Sequence, residues 1–469
     1  MNFRLFQSIG MLVICCTMSL KVSADDLRIG AAAVKVTPPL GVPLAGYYYE
    51  RGADGVHDDL YAKAMVVEKD RIKVAIVECD FVSISKFIAD KIRDIVSKST
   101  GIAPSNVMIS ATHSHTGPVI PSGPSSVEIE GTKSGSESQK ILNAYISKLP
   151  ALIAKSIEQA NAALQPAKLF FGLGQESSIS FNRRFFMTDG TVGWNPGLHN
   201  PKVIKPAGPI DPDVKVLYAE SKTDNPIATL VNFALHLDEV GGTQISADMP
   251  FYLSGALAKI KGDEMVTIFS QGCSGNINHI NVNGEMPQSG QFRAKKNGNI
   301  LAGEVIKTYE NMSELAINNI KARSEMITVP LVEISASELD WARKTAAKYG
   351  KQDAAPFLDL VKAFKMLDVE KRNGKPLEIE IQVFALGDDC AIVGFPNEIF
   401  TELGMYIKSR SPYKHTIIQE LSNGSFGYIP DRKAYSEGNY EPISTIAAPG
   451  AGELYVENAV RMLYELKNQ

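Results

Sequence analysis

Apolar runs of strand length alternate with amphipathic stretches of helical length along nearly the whole chain, and this alternation narrows the available folds more than any other feature. AKAMVVEKDRIKVAIVECD (62–80) reads as two strands about the turn Lys69-Asp70-Arg71. Helical spacing follows from Ile84 to Lys98, and then a short strand, NVMISA (106–111). Residues 139–164 read as a helix pair interrupted at Pro150. Strands follow at AKLFFGLG (167–174), VKVLYAES (214–221) and IATLVNFALH (227–236), then a helix near 250–261 and a strand at VTIFSQ (266–271). Helices dominate 295–365. EIEIQVFALGDDCAIVGF (378–395) reads as a hairpin turning at Gly387-Asp388-Asp389. The chain closes with the strand HTIIQELS (415–422), a long loop and a helix over 453–467. No internal repeat is visible. Such mixing predicts an α/β (mixed α+β) fold, with central β-sheets flanked by helices.

The first 24 residues stand outside that pattern. Arg4, an apolar stretch from Ile9 to Leu20 and the small-residue site Val22-Ser23-Ala24 make a secretory signal peptide. The apolar stretch is about a dozen residues, short of the roughly 20 needed to span a bilayer. The mature chain is therefore expected to be secreted or periplasmic, without a transmembrane segment. Its three cysteines, Cys79, Cys273 and Cys390, lie in or beside apolar runs and read as buried free thiols rather than a disulfide framework. With 48 basic and 52 acidic residues and no Lys/Arg block, the charge pattern excludes a nucleic-acid partner.

Several strands end in polar residues, where α/β folds collect ligands. Strand 106–111 leads into ATHSHTGP, with His113 and His115 two apart. On an extended backbone such residues share a face, so both rings could reach one ion, or one could hold metal while the other faces substrate. Zinc takes three or four N, O or S ligands, and His236 and Glu398, each after its own strand, are further candidates. No His-Glu-x-x-His or cysteine pair is present. Ser274 sits between glycines in QGCSGN, where a turn can expose a nucleophile. Arg183 and Arg184 stand between aromatics in SFNRRFFM. The polar loop 119–138 beside the histidines is a candidate lid.

In this order the pieces resemble the catalytic domain of the neutral (non-lysosomal) ceramidases. ATHSHTGP is similar to that family's Thr-His-Thr-His-Ser-Gly-Pro, and GVHDDLYAKA (55–64) to its Gly-Ile-His…Tyr-Ala-Arg-Ala. FNRR resembles Ile-Asn-Arg-Ser, NFALH resembles Trp-Phe-Ala-x-His, and FPNEIFTELG resembles Pro-Gly-Glu-Phe-Thr-Thr-Met-Ala-Gly. The spacing of Tyr428, Tyr435 and Tyr440-Glu441 matches the family's tyrosines. The resemblance implies one zinc ion held by His113, His236, Glu398 and Tyr428. It implies substrate-directed roles for His115, Ser274, Arg183 and Tyr440. The implied reaction is hydrolysis of an N-acyl amide, releasing a fatty acid from a sphingoid base. The implied partner is a lipid or other N-acylated small molecule, with peripheral contact to a membrane surface. Two departures stand out. The family's Gly-Asp-Val-Ser-Pro-Asn is Gly-Cys-Ser-Gly-Asn here, and residues 25–469 are expected to form a single domain without the family's C-terminal immunoglobulin-like domain. Two other readings remain open at this point: a metal-independent serine hydrolase using Ser274, and a non-catalytic binding protein that keeps the fold.

Overall fold

The computed structural model describes residues 26–121 and 136–469, so the expected signal peptide and most of the candidate lid loop 119–138 lie outside the described residues. Twelve strands build two sheets. They are β1 (Arg28–Lys35), β2 (Tyr61–Lys69), β3 (Ile72–Cys79), β4 (Val107–Ala111), β5 (Gln165–Gln175), β6 (Asp213–Ser221), β7 (Pro226–Phe233), β8 (Val266–Gln271), β9 (Ile320–Val329), β10 (Leu377–Leu386), β11 (Cys390–Gly394) and β12 (His415–Gln419). The longer helices are α1 (Lys86–Thr100), α2 (Glu137–Ala162), α3 (Met249–Lys261), α4 (Gln291–Tyr309), α5 (Ala336–Ala346), α6 (Phe357–Lys371), α7 (Thr401–Arg410) and α8 (Ala451–Lys467).

The larger sheet runs β8-β7-β6-β5-β1-β2-β3-β4, with Ser313–Glu314 added against β5; the smaller runs β9-β10-β11-β12. The strand period of two sorts each strand's side chains onto opposite faces. On β3, Val74 and Ile76 enter one core while Ala75, Val77 and Cys79 enter another with α1 and α2. On β10, Phe384 and Leu386 share the core of Val74 and Ile76, while Ile381, Val383 and Ala385 pack with α7 and α8. Helices α3 and α4 cover the β6–β8 part of the larger sheet. The result is four layers, with the two sheets face to face between outer layers of helices, as the alternation predicts.

Within these two sheets three described strand pairs are parallel, β3 with β4, β7 with β8, and β11 with β12. Each is joined through a helix, α1, α3 and α7 respectively, because a parallel pair needs a crossover. The larger sheet curls until β8 lies against β3 and β4, and β12 closes the gap. Gln419 Nε2 donates to Glu78 Oε1 on β3 (2.5 Å) and Ser110 Oγ on β4 (2.6 Å), and the Glu420 amide donates to Gln271 O on β8 (3.0 Å). The carboxyl ends of all three parallel pairs thus meet in one place.

Some elements differ from expectation. The helix pair is one helix, α2, running through Pro150, because Leu149, Ile153, Ala154 and Ile157 are all buried on the sheet and override the lost hydrogen bond. The helix-dominated stretch 295–365 contains the long strand β9. Strand β1, which the pattern did not reveal, is made of small residues because α2 crosses it closely: a Cβ on Gly30 would lie 2.2 Å from Ala160 O. The three cysteines are buried and free, as expected.

A buried ion pair ties the helix layer to the smaller sheet. Arg93 on α1 donates to the β4 carbonyl of Val107 (3.0 and 2.9 Å) and to both oxygens of Glu380 on β10 (2.8 and 3.0 Å). Both side chains are under a tenth exposed. Arg93→Ala leaves Glu380 buried without a counter-charge and should destabilise the protein by about 3–5 kcal/mol in denaturant unfolding. The double variant Arg93→Met/Glu380→Leu should recover most of that loss; an unchanged midpoint for Arg93→Ala would contradict the assignment.

Candidate metal centre

Each parallel pair contributes two loops to the meeting point. After β4 the chain turns sharply at His113, whose φ of 75° lies in the left-handed region that non-glycine residues seldom adopt. The turn is held from the loop after β3: the His113 amide donates to Phe81 O (2.8 Å), and Nδ1 meets Val82 O at 2.8 Å. A carbonyl at that distance assigns the proton to Nδ1 and leaves the Nε2 lone pair free. His113 Nε2 lies 3.1 Å from His236 Nε2, which follows β7, and 3.3 Å from His115 Nε2. Ligand atoms of the three rings lie within 4.8 Å of one another, and all three residues are buried. Burial, and after it the neighbouring His113, holds His115 and His236 well below the usual histidine range.

Glu398, after β11, brings Oε2 to 3.5 Å from His113 Nε2 and 3.8 Å from His236 Nδ1. Glu398 and Tyr428 are paired residues of a short parallel bridge, Glu398–Ile399 with Tyr428–Ile429, which sets their side chains on one face. Tyr428 is buried, and burial, followed by the Glu398 charge, pushes its hydroxyl well up. The four predicted ligands are therefore brought together, from the loops after β4, β7, β11 and β12.

The four residues with predicted substrate roles divide. His115 and Tyr440 line both cavities that open at the histidines, and Arg183 lines the larger. Arg183 stacks its guanidinium 5.4 Å from the Tyr428 ring centre and 5.9 Å from that of Tyr440. It is fixed there by Glu441 Oε1 (2.8 Å) and Gly275 O (2.7 Å), while Glu441 Oε2 accepts from Arg184 (2.8 Å). Ser274 lines neither cavity. Fully buried, it donates to Glu420 Oε1 (2.5 Å) and accepts from Gln271 Nε2 (2.7 Å), and Glu420 Oε2 in turn takes the Ile399 amide (2.8 Å). No hydrogen bond joins Ser274 to a histidine among the described residues. The loop's other change has a steric reason: a Cβ on Gly275 would lie 2.8 Å from Glu398 O, so the small residue lets this loop pass under the candidate ligand.

The larger cavity, about 390 Å³, has an aromatic and apolar wall. Trp194 stacks on Tyr440 (4.4 Å between ring centres), and α6 adds Phe357, Leu360, Val361 and Phe364. The smaller, about 230 Å³, reaches His113 and Glu398 and shares Tyr47, Tyr48, His115, Tyr428 and Tyr440 with the first. Sequence reasoning missed the Gly46-Tyr47-Tyr48-Tyr49 loop, Trp194, the α6 wall and Glu420. The run of three tyrosines after a glycine was the available signal. Gly46 has a φ of 95°, and a Cβ there would lie 2.5 Å from the His115 ring. Tyr435, part of the tyrosine spacing, instead donates to the Ala447 carbonyl (2.8 Å).

The metal fit can be judged from these atoms. His236 Nδ1 and Glu398 Oε2 are buried without a hydrogen-bond partner, and His113 Nε2 beside them meets the other two imidazoles. Unpartnered buried acceptors of N and O type around one point suit a divalent cation such as zinc.

Residues 27–289 match the family described as neutral/alkaline non-lysosomal ceramidase, N-terminal. The neutral ceramidase of Pseudomonas aeruginosa is 23% identical over an alignment spanning 100% of this chain and 77% of that protein. Neutral ceramidase B of Dictyostelium discoideum is 27% identical over 50% of this chain and 32% of its own length. The crystal structure of the Pseudomonas aeruginosa enzyme superposes with a TM-score of 0.72 at 21% identity, covering 94% of this chain and 75% of that one. A ceramidase complexed with C2 superposes with a TM-score of 0.71 at 20% identity, with the same coverage. The chain belongs to the neutral/alkaline non-lysosomal ceramidase family.

Proposed function

We propose that this protein is a zinc-dependent amide hydrolase that cleaves the N-acyl bond of ceramide or a related N-acylated compound. The observation that carries this reading is the convergence of three buried imidazoles with Glu398 and Tyr428 at the floor of an aromatic cavity. Family membership and the relatives named neutral ceramidase support the substrate class. His113, His236, Glu398 and Tyr428 would hold the ion, and zinc there would supply Lewis-acid polarisation of the carbonyl and an acidified water.

The remaining work falls to the chain's own groups. Tyr440 lies over the cavity beside Arg183, where its hydroxyl can donate to oxygen charge developing on the carbonyl. His115 faces the same cavity, where its ring can take the proton released as water adds to the carbonyl and pass it to the departing amine. The aromatic and α6 walls exclude water and seat an aliphatic chain. Ser274 supports the site through Glu420 and Ile399. Residues 25–469 act as one catalytic domain, and residues 1–24 direct it to the periplasm or beyond. No helix among the described residues is long and apolar enough to cross a membrane. A lipid substrate makes peripheral contact with a membrane surface part of the reading.

Purified protein assayed on a short-chain ceramide should lose activity on chelation and regain it with zinc. His113→Ala and His236→Ala should each lower kcat/KM by on the order of 10²-fold or more. Activity that survives complete metal removal, with covalent labelling of Ser274 by a fluorophosphonate, would replace this reading with the serine-hydrolase one. Gly46→Ala should push the His115 ring aside and cost on the order of 10²-fold in kcat/KM. In a His115→Ala background the same change should cost less, because the ring atoms at 2.5 Å are gone while the Cβ of residue 115 at 2.7 Å and the φ of 95° at position 46 remain; fully additive losses would contradict the ring contact.

A further inference from the structure

One wall of the larger cavity is not apolar. Asp238, two residues after His236, is the only carboxylate lining it among the described residues. Its Oδ1 accepts from Tyr47 Oη (2.8 Å) and lies 3.4 Å from His115 Nδ1. Its Oδ2 accepts no hydrogen bond among the described residues, and the side chain, 35% exposed, lines the cavity. The nearby cations are engaged elsewhere. Arg183 is held by Glu441 and Gly275, and Arg51 donates to the carbonyls of Ala45, His115 and Gly242. Arg51 also stacks 4.1 Å from the Tyr47 ring centre, which fixes that ring over Asp238. The position is thus built rather than loose: a carboxylate that lines the cavity next to the His115 ring, with one oxygen held by Tyr47 and the other left without a hydrogen bond.

We propose that Asp238, oriented by Tyr47, is a specificity-determining residue that selects amides whose amine portion carries a hydrogen-bond donor near the scissile nitrogen, as in the amide of a 2-amino alcohol. A carboxylate is an acceptor only, so the complementary group is a hydroxyl or ammonium. A substrate without one leaves Oδ2 facing an apolar group and loses a charge-assisted hydrogen bond. The chemistry also explains why the polar wall sits beside His115 while the α6 wall, which can seat an aliphatic chain, carries no such group. This inference rests on the amide-hydrolase reading but concerns recognition, and the two can fail separately.

The test compares two amides with the same acyl chain on the zinc-loaded protein, one of a 2-amino alcohol and one of the matching alkylamine. It also measures calorimetric binding of their non-hydrolysable sulfonamide analogues. The wild type should prefer the hydroxylated member roughly tenfold or more in kcat/KM and in affinity. Asp238→Ala should abolish the preference, Asp238→Asn should keep part of it because one acceptor oxygen remains, and Tyr47→Phe should weaken it. A role confined to holding His115 would lower both substrates together and leave their ratio unchanged, and that result overturns the proposal. So does a wild type that turns over both amides equally. If neither amide is hydrolysed but the hydroxylated analogue binds more tightly and Asp238→Ala removes the difference, the recognition stands and the catalytic reading falls. If neither is hydrolysed and the analogues bind alike, both fall.

Discussion

Three imidazoles packed with ring nitrogens 3.1 and 3.3 Å apart in a buried site cannot all satisfy one another. One N–H can point at one lone pair, and the remaining acceptors, with the unpartnered Glu398 Oε2 beside them, are left facing a common point. Such a cluster suits a metal ion, and much of the molecule serves to hold it together. The strained turn at His113 and the bridge that aligns Glu398 with Tyr428 set its members directly, and the Glu441 carboxylate fixes Arg183 against the Tyr428 ring.

The frame behind it is a consequence of strand direction. A parallel pair puts two carboxyl ends side by side, and three such pairs aimed at one point supply six loops. Antiparallel neighbours fill the larger sheet between them and let it curl, so pairs distant in sequence become adjacent in space. The short network of Gln419, Glu420 and Ser274 locks the smaller sheet's contribution against the larger one. Ser274, which the sequence suggests as a nucleophile, finds its physical role there.

The strands that feed the site were legible because each is a mostly apolar, buried run ending in a polar loop, as in VMISA before Thr112 and His113. Strand β9 was not. It lies at the edge of the smaller sheet, with Lys321, Arg323 and Glu325 only partly covered, so its charges blend with those of the helices around it. Strand β1 was hidden by its alanines and glycine, which have low strand propensity but are required under α2. Within the site, the ligand set followed from a family resemblance. The aromatic wall did not, because Trp194, Tyr47 and Phe357 are scattered in sequence and only the fold brings them together. Asp238 was visible as a polar residue after a strand, but nothing in NFALHLDEV says that Tyr47, 191 positions away, holds it.

The most direct test of the central claim is the metal's coordination in the purified full-length protein, read by X-ray absorption together with metal stoichiometry. The account predicts one zinc per chain with two imidazole nitrogens and oxygen ligands in the first sphere, and loss of an oxygen ligand in Tyr428→Phe with no change of nitrogen count in His115→Ala. No bound metal, or a sphere in which His115 replaces His113 or His236, would contradict it.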